Sequence, residues 1–184
     1  MTGAAAVAAS ADPSALPESR PDHPVMRLAE VSADQVRQLL ARFGLALTLV
    51  PNRQWIPGSY WGDDEAGLVG QQLYARLDTP LHSILHEACH WIVMDPAKRP
   101  TVHTDASDSL AEEDATCYLQ ILLAEHLPGF GRARALADMD AWGYSFRLGS
   151  AQAWFERDAE DARAWLVEHD LIDTNALVRW RVRG

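Results

Sequence analysis

The sequence predicts an α+β domain in which a small twisted sheet packs against a pair of helices and the C-terminal half of the chain is helical. Two observations lead to this fold class. Short apolar runs closed by Gly or Pro, which are typical of strands, are confined to residues 45–76. Segments with helix starts, apolar residues at helical spacing and helix stops precede that region and fill the chain after it.

The elements follow in chain order. A capping box at residues 32–35 starts a first helix, and Gly44 stops it. Strands are predicted over 45–50 and 67–76, with a loop or hairpin over 52–66 between them. A polar loop is expected over 95–108. The predicted helical segments after the second strand are 80–93, 109–126, 132–142, 150–157, 159–168 and 175–182.

Composition limits the domain organisation and the partners. With 184 residues, 48% apolar and 23% charged, the chain suits one domain over 25–184, preceded by an Ala- and Pro-rich tail over 1–24 that we expect to be disordered. The net charge of −10, with no long basic run, argues against nucleic acid and an anionic membrane surface as partners. No stretch is apolar and long enough to span a membrane. Two cysteines, Cys89 and Cys117, do not make a disulfide framework, so a cytoplasmic location is expected.

The most informative stretch is the pattern His-Glu-x-x-His at residues 86–90. It lies on a predicted helix with Pro80 at its first position and another proline just beyond its end. Residues four apart lie about 40° from each other around a helix, so His86 and His90 project from one face and can bind one metal ion. Glu87, next to the first histidine, can reach a water bound to that metal. The pattern alone occurs by chance, but on a capped helix it predicts a metal site.

A zinc site of this kind needs a third protein ligand. A histidine six residues beyond His90 is excluded, because a proline stands there. Among the three adjacent carboxylates that begin at Glu112, Glu112 shares its helix face with apolar residues, and a buried carboxylate needs a compensating charge such as a metal ion. We therefore predict Glu112 as the third ligand, with Glu113 as the alternative. A capping box after Ser109 is the competing role for Glu112.

Three other side chains stand close to the motif or on the loop that follows it. His82, one turn before His86, is expected in the core or in contact with the ligands. Cys89 is expected to be a small buried side chain, and His103 is expected on a solvated loop.

Residues 85–90, with Glu112, Ala115 and the Leu pair at 122–123, resemble the gluzincin type of metallopeptidase, including small ImmA/IrrE-like proteins. The resemblance implies a minimal zincin-like fold, His86, His90 and Glu112 as ligands of Zn²⁺, and Glu87 as general base. Thr116 stands where such families often have Asp or Asn.

The run Leu-His-Glu-x-x-His-Trp at 85–91, with Tyr74 upstream, is similar to the elongation factor P hydroxylase family. This second resemblance implies a non-haem iron hydroxylase that acts on a protein substrate. The loop at 95–108 departs from that family. Each resemblance covers about a quarter of the chain.

The sequence thus predicts a zinc-dependent hydrolase, similar to metallopeptidases, that acts on a peptide or protein substrate with Glu87 as general base. Tyr144 and Arg147 are the predicted donors to an oxyanion. A peptide could pair with the strand at 67–76 by strand addition. Two alternatives stay open: an Fe²⁺ hydroxylase acting on a protein, and a non-catalytic metal-binding interaction module. The oligomeric state is left open.

Overall fold

The computed structural model of the chain describes residues 24–60, 64–104 and 109–184. Within these ranges the domain is α+β, as predicted, with six α-helices and a three-stranded sheet. The tail predicted over 1–24 lies outside the described residues, apart from Pro24. The strands are β1 (Ala46–Leu49), β2 (Gly67–Val69) and β3 (Gln72–Ala75). The α-helices are α1 (Ala33–Ala41), α2 (Leu81–Val93), α3 (Leu110–Ala124), α4 (Gly131–Trp142), α5 (Ala151–Arg157) and α6 (Glu160–Glu168).

The sheet has the order β1-β3-β2, with β1 parallel and β2 antiparallel to β3. The single strand predicted over 67–76 is therefore two strands, because Gly70 takes a φ of 54° and reverses the chain between them. The outer edge of β2 is already paired: the N–H of Gly70 donates to Val102 O (3.0 Å), and the N–H of Thr104 donates to Leu68 O (3.2 Å). Strand addition at 67–76 thus meets a central strand and an edge that residues 102–104 cover.

Helix α2 is the central helix of the domain. All of its residues are buried except His86 and Glu87. A helix that is apolar all round belongs in a core, so the two partly exposed positions mark the place where this one faces an opening. Its first turn is held by the N-terminal segment, since the N–H of Leu81 donates to Met26 O (2.9 Å). Among the described residues, no helix combines the length and apolar character that crossing a membrane requires.

Helix α3 packs along α2 and is buried from Ala115 to Ala124. Ser109 caps its start, because Ser109 Oγ accepts a hydrogen bond from the N–H of Glu112 (3.2 Å). Two polar residues of the buried stretch, Thr116 and Gln120, are at most 1% exposed. Buried polar groups need hydrogen-bond partners, and both find theirs on α2.

Residues 175–182 were predicted to be helical and are irregular in the structure. Asp173 accepts two backbone hydrogen bonds from residues that follow it, and Ala176 and Trp180 have φ values of 61° and 54°. Such local side-chain bonds compete with a helical ladder. The segment instead returns to the core, where the N–H of Arg183 donates to a carbonyl near the C-terminal end of α2 (2.8 Å).

Candidate metal centre

The two histidines of α2 face each other. His86 Nε2 and His90 Nε2 are 3.0 Å apart, and their rings are nearly perpendicular, at 84°. The side chains are 16% and 10% exposed. The one-turn spacing thus does what the sequence predicted, since it directs two imidazole nitrogens at one point.

Glu113 of α3 completes the cluster. Its Oε1 lies 3.3 Å from His86 Nε2 and its Oε2 lies 3.6 Å from His90 Nε2. Two zinc bonds of about 2.0–2.1 Å at a tetrahedral angle place their ligand atoms about 3.3 Å apart. The three separations in the cluster, 3.0, 3.3 and 3.6 Å, lie around that value. Within the described part of the chain, His86, His90 and Glu113 are the group whose ligand atoms lie close enough together to hold a metal ion. At 39%, Glu113 is the most exposed of the three, so the cluster opens on its side.

Glu112, the predicted third ligand, lies elsewhere. Its Oε1 accepts a hydrogen bond from Arg183 Nη1 at 2.8 Å, and the two side chains are 13% and 19% exposed. A carboxylate on the apolar face of α3 needs a compensating charge, and the guanidinium of Arg183 supplies it. Adjacent helix positions differ by about 100°, so the rotation that gives Glu112 to Arg183 gives Glu113 to the histidines.

Helix α3 also contacts the Nδ1 atoms of both histidines. Gln120 Oε1 lies 2.6 Å from His86 Nδ1, and Thr116 Oγ1 lies 3.5 Å from His90 Nδ1. Together with Glu113 they form a polar stripe along one face of an otherwise apolar helix. The prediction of Glu112 rested on its apolar face, whereas the face of Glu113 is mixed in character. That polar stripe was the signal that could have identified Glu113 and Gln120.

Glu87 stands beside the cluster with one unsatisfied oxygen. Its Oε2 is buried and has no hydrogen-bond partner within the described residues. Burial raises the pKa of Glu87 from its ordinary value of 4.5 to about 8; the charge on His86 opposes this rise, and Glu65 and Glu113 add to it. A buried carboxyl with a free oxygen and a pKa near neutrality is suited to proton transfer.

The two Nε2 atoms cannot both be protonated, because they lie only 3.0 Å apart. Burial, followed by the charge on His86, lowers the pKa of His90 to about 3, although Glu113 acts in the opposite direction. His90 is therefore neutral at ordinary pH. A neutral imidazole is the form that binds a metal.

The two predicted oxyanion donors differ in position. The Tyr144 ring contacts that of His86 edge-on, with ring centres 5.7 Å apart, and burial raises the pKa of Tyr144. The structure thus brings Tyr144 to the site as a protonated phenol. Arg147 instead makes an ion pair with Asp158 through two nitrogens and is 79% exposed, so its guanidinium is committed to a surface contact.

The remaining side chains take supporting places. His82 is 1% exposed and contacts the rings of Trp142 and Tyr144, with centres 5.2 and 5.6 Å apart. Cys89 is fully buried, as expected. His103 pairs with β2 in the segment that covers its edge. Glu65, which the sequence analysis did not single out, accepts a hydrogen bond from Trp142 Nε1 (3.1 Å).

Comparisons of the chain with family models, with curated proteins and with solved structures gave no match. The functional argument therefore rests on the geometry of this site.

Proposed function

We propose that the protein is a metal-dependent hydrolase in which His86, His90 and Glu113 hold Zn²⁺ and Glu87 is the general base. The observation that carries the proposal is the position of Glu87. It is a buried carboxyl with an unbonded Oε2 and a pKa raised to about 8, on the same helix turn as the first histidine of the cluster. The resemblance to gluzincins supports the same roles for three of these residues, with Glu113 in place of Glu112.

The donor set fits the metal. Two imidazole nitrogens, which bind a metal in their neutral form, and one carboxylate, with neighbouring ligand atoms 3.0–3.6 Å apart, would suit a small divalent ion. Such an ion lowers the pKa of a water molecule enough to make it a nucleophile near neutral pH.

The residues around the cluster divide the remaining work. Glu87 in its ionised form takes a proton from the attacking water and delivers it to the leaving amine. Its raised pKa makes it a stronger base, and the charge of a bound Zn²⁺ would favour its ionised form. Tyr144 donates a hydrogen bond to the oxygen that becomes negative, because burial keeps its phenol protonated. The exposed side of Glu113 is where a peptide or protein substrate enters.

Metal content and one substitution test the proposal. Protein purified without added metal is analysed for zinc and iron, together with His90→Ala and with His103→Ala as an exposed histidine outside the cluster. We expect one equivalent of zinc in the wild type and in His103→Ala, and none in His90→Ala. Glu87→Gln should keep its zinc and lose turnover of a quenched fluorescent peptide library, whereas the exposed Glu160→Gln should keep both.

Four results would overturn the proposal. Absence of metal, even after zinc addition, removes the site. Stoichiometric iron with oxygen-dependent hydroxylation of a protein supports the hydroxylase alternative, since the same donor set suits Fe²⁺. Full peptide turnover by Glu87→Gln excludes Glu87 as the base, and bound zinc without turnover in the wild type leaves a metal-stabilised interaction module.

A further inference from the structure

Gln120 makes the shortest polar contact at the cluster. Its side chain is 1% exposed, and its Oε1 lies 2.6 Å from His86 Nδ1. An amide oxygen can only accept a hydrogen bond, so His86 Nδ1 must donate one. The lone pair of a neutral His86 then resides on Nε2, the atom that faces His90 and Glu113. The contact thus selects the ring tautomer that can bind a metal.

The other end of the amide meets Tyr144. The Gln120 Nε2 atom is buried and has no hydrogen-bond partner among the described residues, and the Gln120 side chain lowers the pKa of Tyr144 against the larger effect of burial. The Tyr144 ring in turn lies edge-on to the His86 ring. Gln120, His86 and Tyr144 therefore belong to one buried group of side chains.

The place of Gln120 on α3 fits this role. It follows Glu113 by seven residues, which is about two helical turns, so the two side chains share one face. An amide at this depth costs free energy unless it is bonded, and an apolar residue would fill the same space at less cost. Among the described residues, the amide has a hydrogen-bond partner only at its Oε1, and that partner, His86, is a ligand candidate.

We propose that Gln120 is a positioning residue, which fixes the Nδ1–H tautomer and ring orientation of His86. The part of this proposal that concerns metal affinity rests on the proposed function. The tautomer of His86 is a property of the metal-free protein and does not depend on the proposed function.

Two variants at one position separate the hydrogen bond from the packing. Gln120→Met keeps nearly the same volume and removes the acceptor, whereas Gln120→Glu keeps an acceptor oxygen. With zinc alone as the probe, competition against a chelator should show about 10–100-fold weaker binding for Gln120→Met. Gln120→Glu should bind zinc within a few-fold of the wild type. Circular dichroism and thermal unfolding identify a variant that has failed to fold.

Nitrogen-15 NMR of the metal-free protein reads the tautomer directly. The His86 signals are assigned by their loss in His86→Asn and are recorded at a pH where the ring is neutral. We expect a proton on Nδ1 in the wild type and in Gln120→Glu, and a mixture of tautomers in Gln120→Met. A wild-type His86 with its proton on Nε2, or zinc binding in Gln120→Met equal to that of the wild type, would overturn the proposal. A wild type that binds no zinc refutes the metal site instead, and the NMR result still decides the role of Gln120.

Discussion

The two faces of α3 carry adjacent glutamates with opposite surroundings. On one face Glu113 stands with Thr116 and Gln120, and all three contact the histidines of α2. On the other face Glu112 is bonded to Arg183, which the end of the described chain brings back to the core. The first face carries charge that a cation can use, and the second carries charge that is already neutralised. A carboxylate on a buried helix is thus a ligand candidate only if no side chain has compensated it.

The largest expected effect comes from removing the carboxylate from one face of α3. Glu113→Gln removes the carboxylate beside both histidines, so zinc affinity should fall by more than about 100-fold. This exceeds the loss typical of residues that contact only the ligands of a metal. Glu112→Gln is the matched control and should bind zinc within a few-fold of the wild type. Isothermal titration with zinc measures both. Equal losses in the two variants would mean that the faces are not distinct.

The stability of the metal-free protein should depend on pH through Glu87, the buried carboxyl of α2 beside the cluster. Between about pH 4.5 and 8 the unfolded state loses the Glu87 proton while the folded state keeps it, because burial raises the pKa of Glu87 to about 8. The free energy of unfolding should therefore fall as the pH rises through this window, by at most about 1.4 kcal/mol per pH unit.

Urea denaturation of chelator-treated wild type and Glu87→Gln isolates this contribution, because every other group titrates in both proteins. The unfolding free energy of the wild type minus that of Glu87→Gln should fall steadily from pH 5 to pH 8. Parallel curves would show that Glu87 is ionised in the folded state.

The second face should matter for stability rather than for metal. Arg183→Met leaves Glu112 without its guanidinium at a site only 13% exposed, so unfolding free energy should fall by about 1–3 kcal/mol. The control is Arg181→Met, whose ion pair with Asp170 is about half exposed and should contribute less than about 1 kcal/mol. Thermal and urea unfolding give both values. Loss of zinc from Arg183→Met, with the fold intact, would connect the two faces.

The smallest effect is expected far from α3. Arg147→Ala removes an exposed ion pair with Asp158, so stability should change by less than about 1 kcal/mol and peptide turnover should not change. Tyr144→Phe, its counterpart at the site, should keep zinc and lose turnover. A turnover defect in Arg147→Ala would restore the role that the sequence suggested for it.

The sequence was sufficient for features that depend on local spacing. The fold class, the position of α2, the start of α3 at Ser109 and the shared face of His86 and His90 all follow from periodicity and caps. Two other features depend on distant partners. The choice between Glu112 and Glu113 depends on Arg183, which lies 71 residues away from Glu112. The irregular path of 175–182 depends on its bonds to Leu171 and Asp173 and on the backbone bond that joins Arg183 to α2, which outweigh its helical composition.

The rotation of α3 has a consequence for how such a site can change over evolution. The carboxylate that faces the histidines is selected by the rotation of α3, which its packing against α2 fixes. Insertions between α2 and α3 should leave the cluster intact. A one-residue slip within α3 would turn the Glu113 position by about 100°. Glu112 or Asp114 would then face the histidines in its place. A search for distant relatives should therefore align the polar stripe of α3, and give little weight to its distance from the histidines.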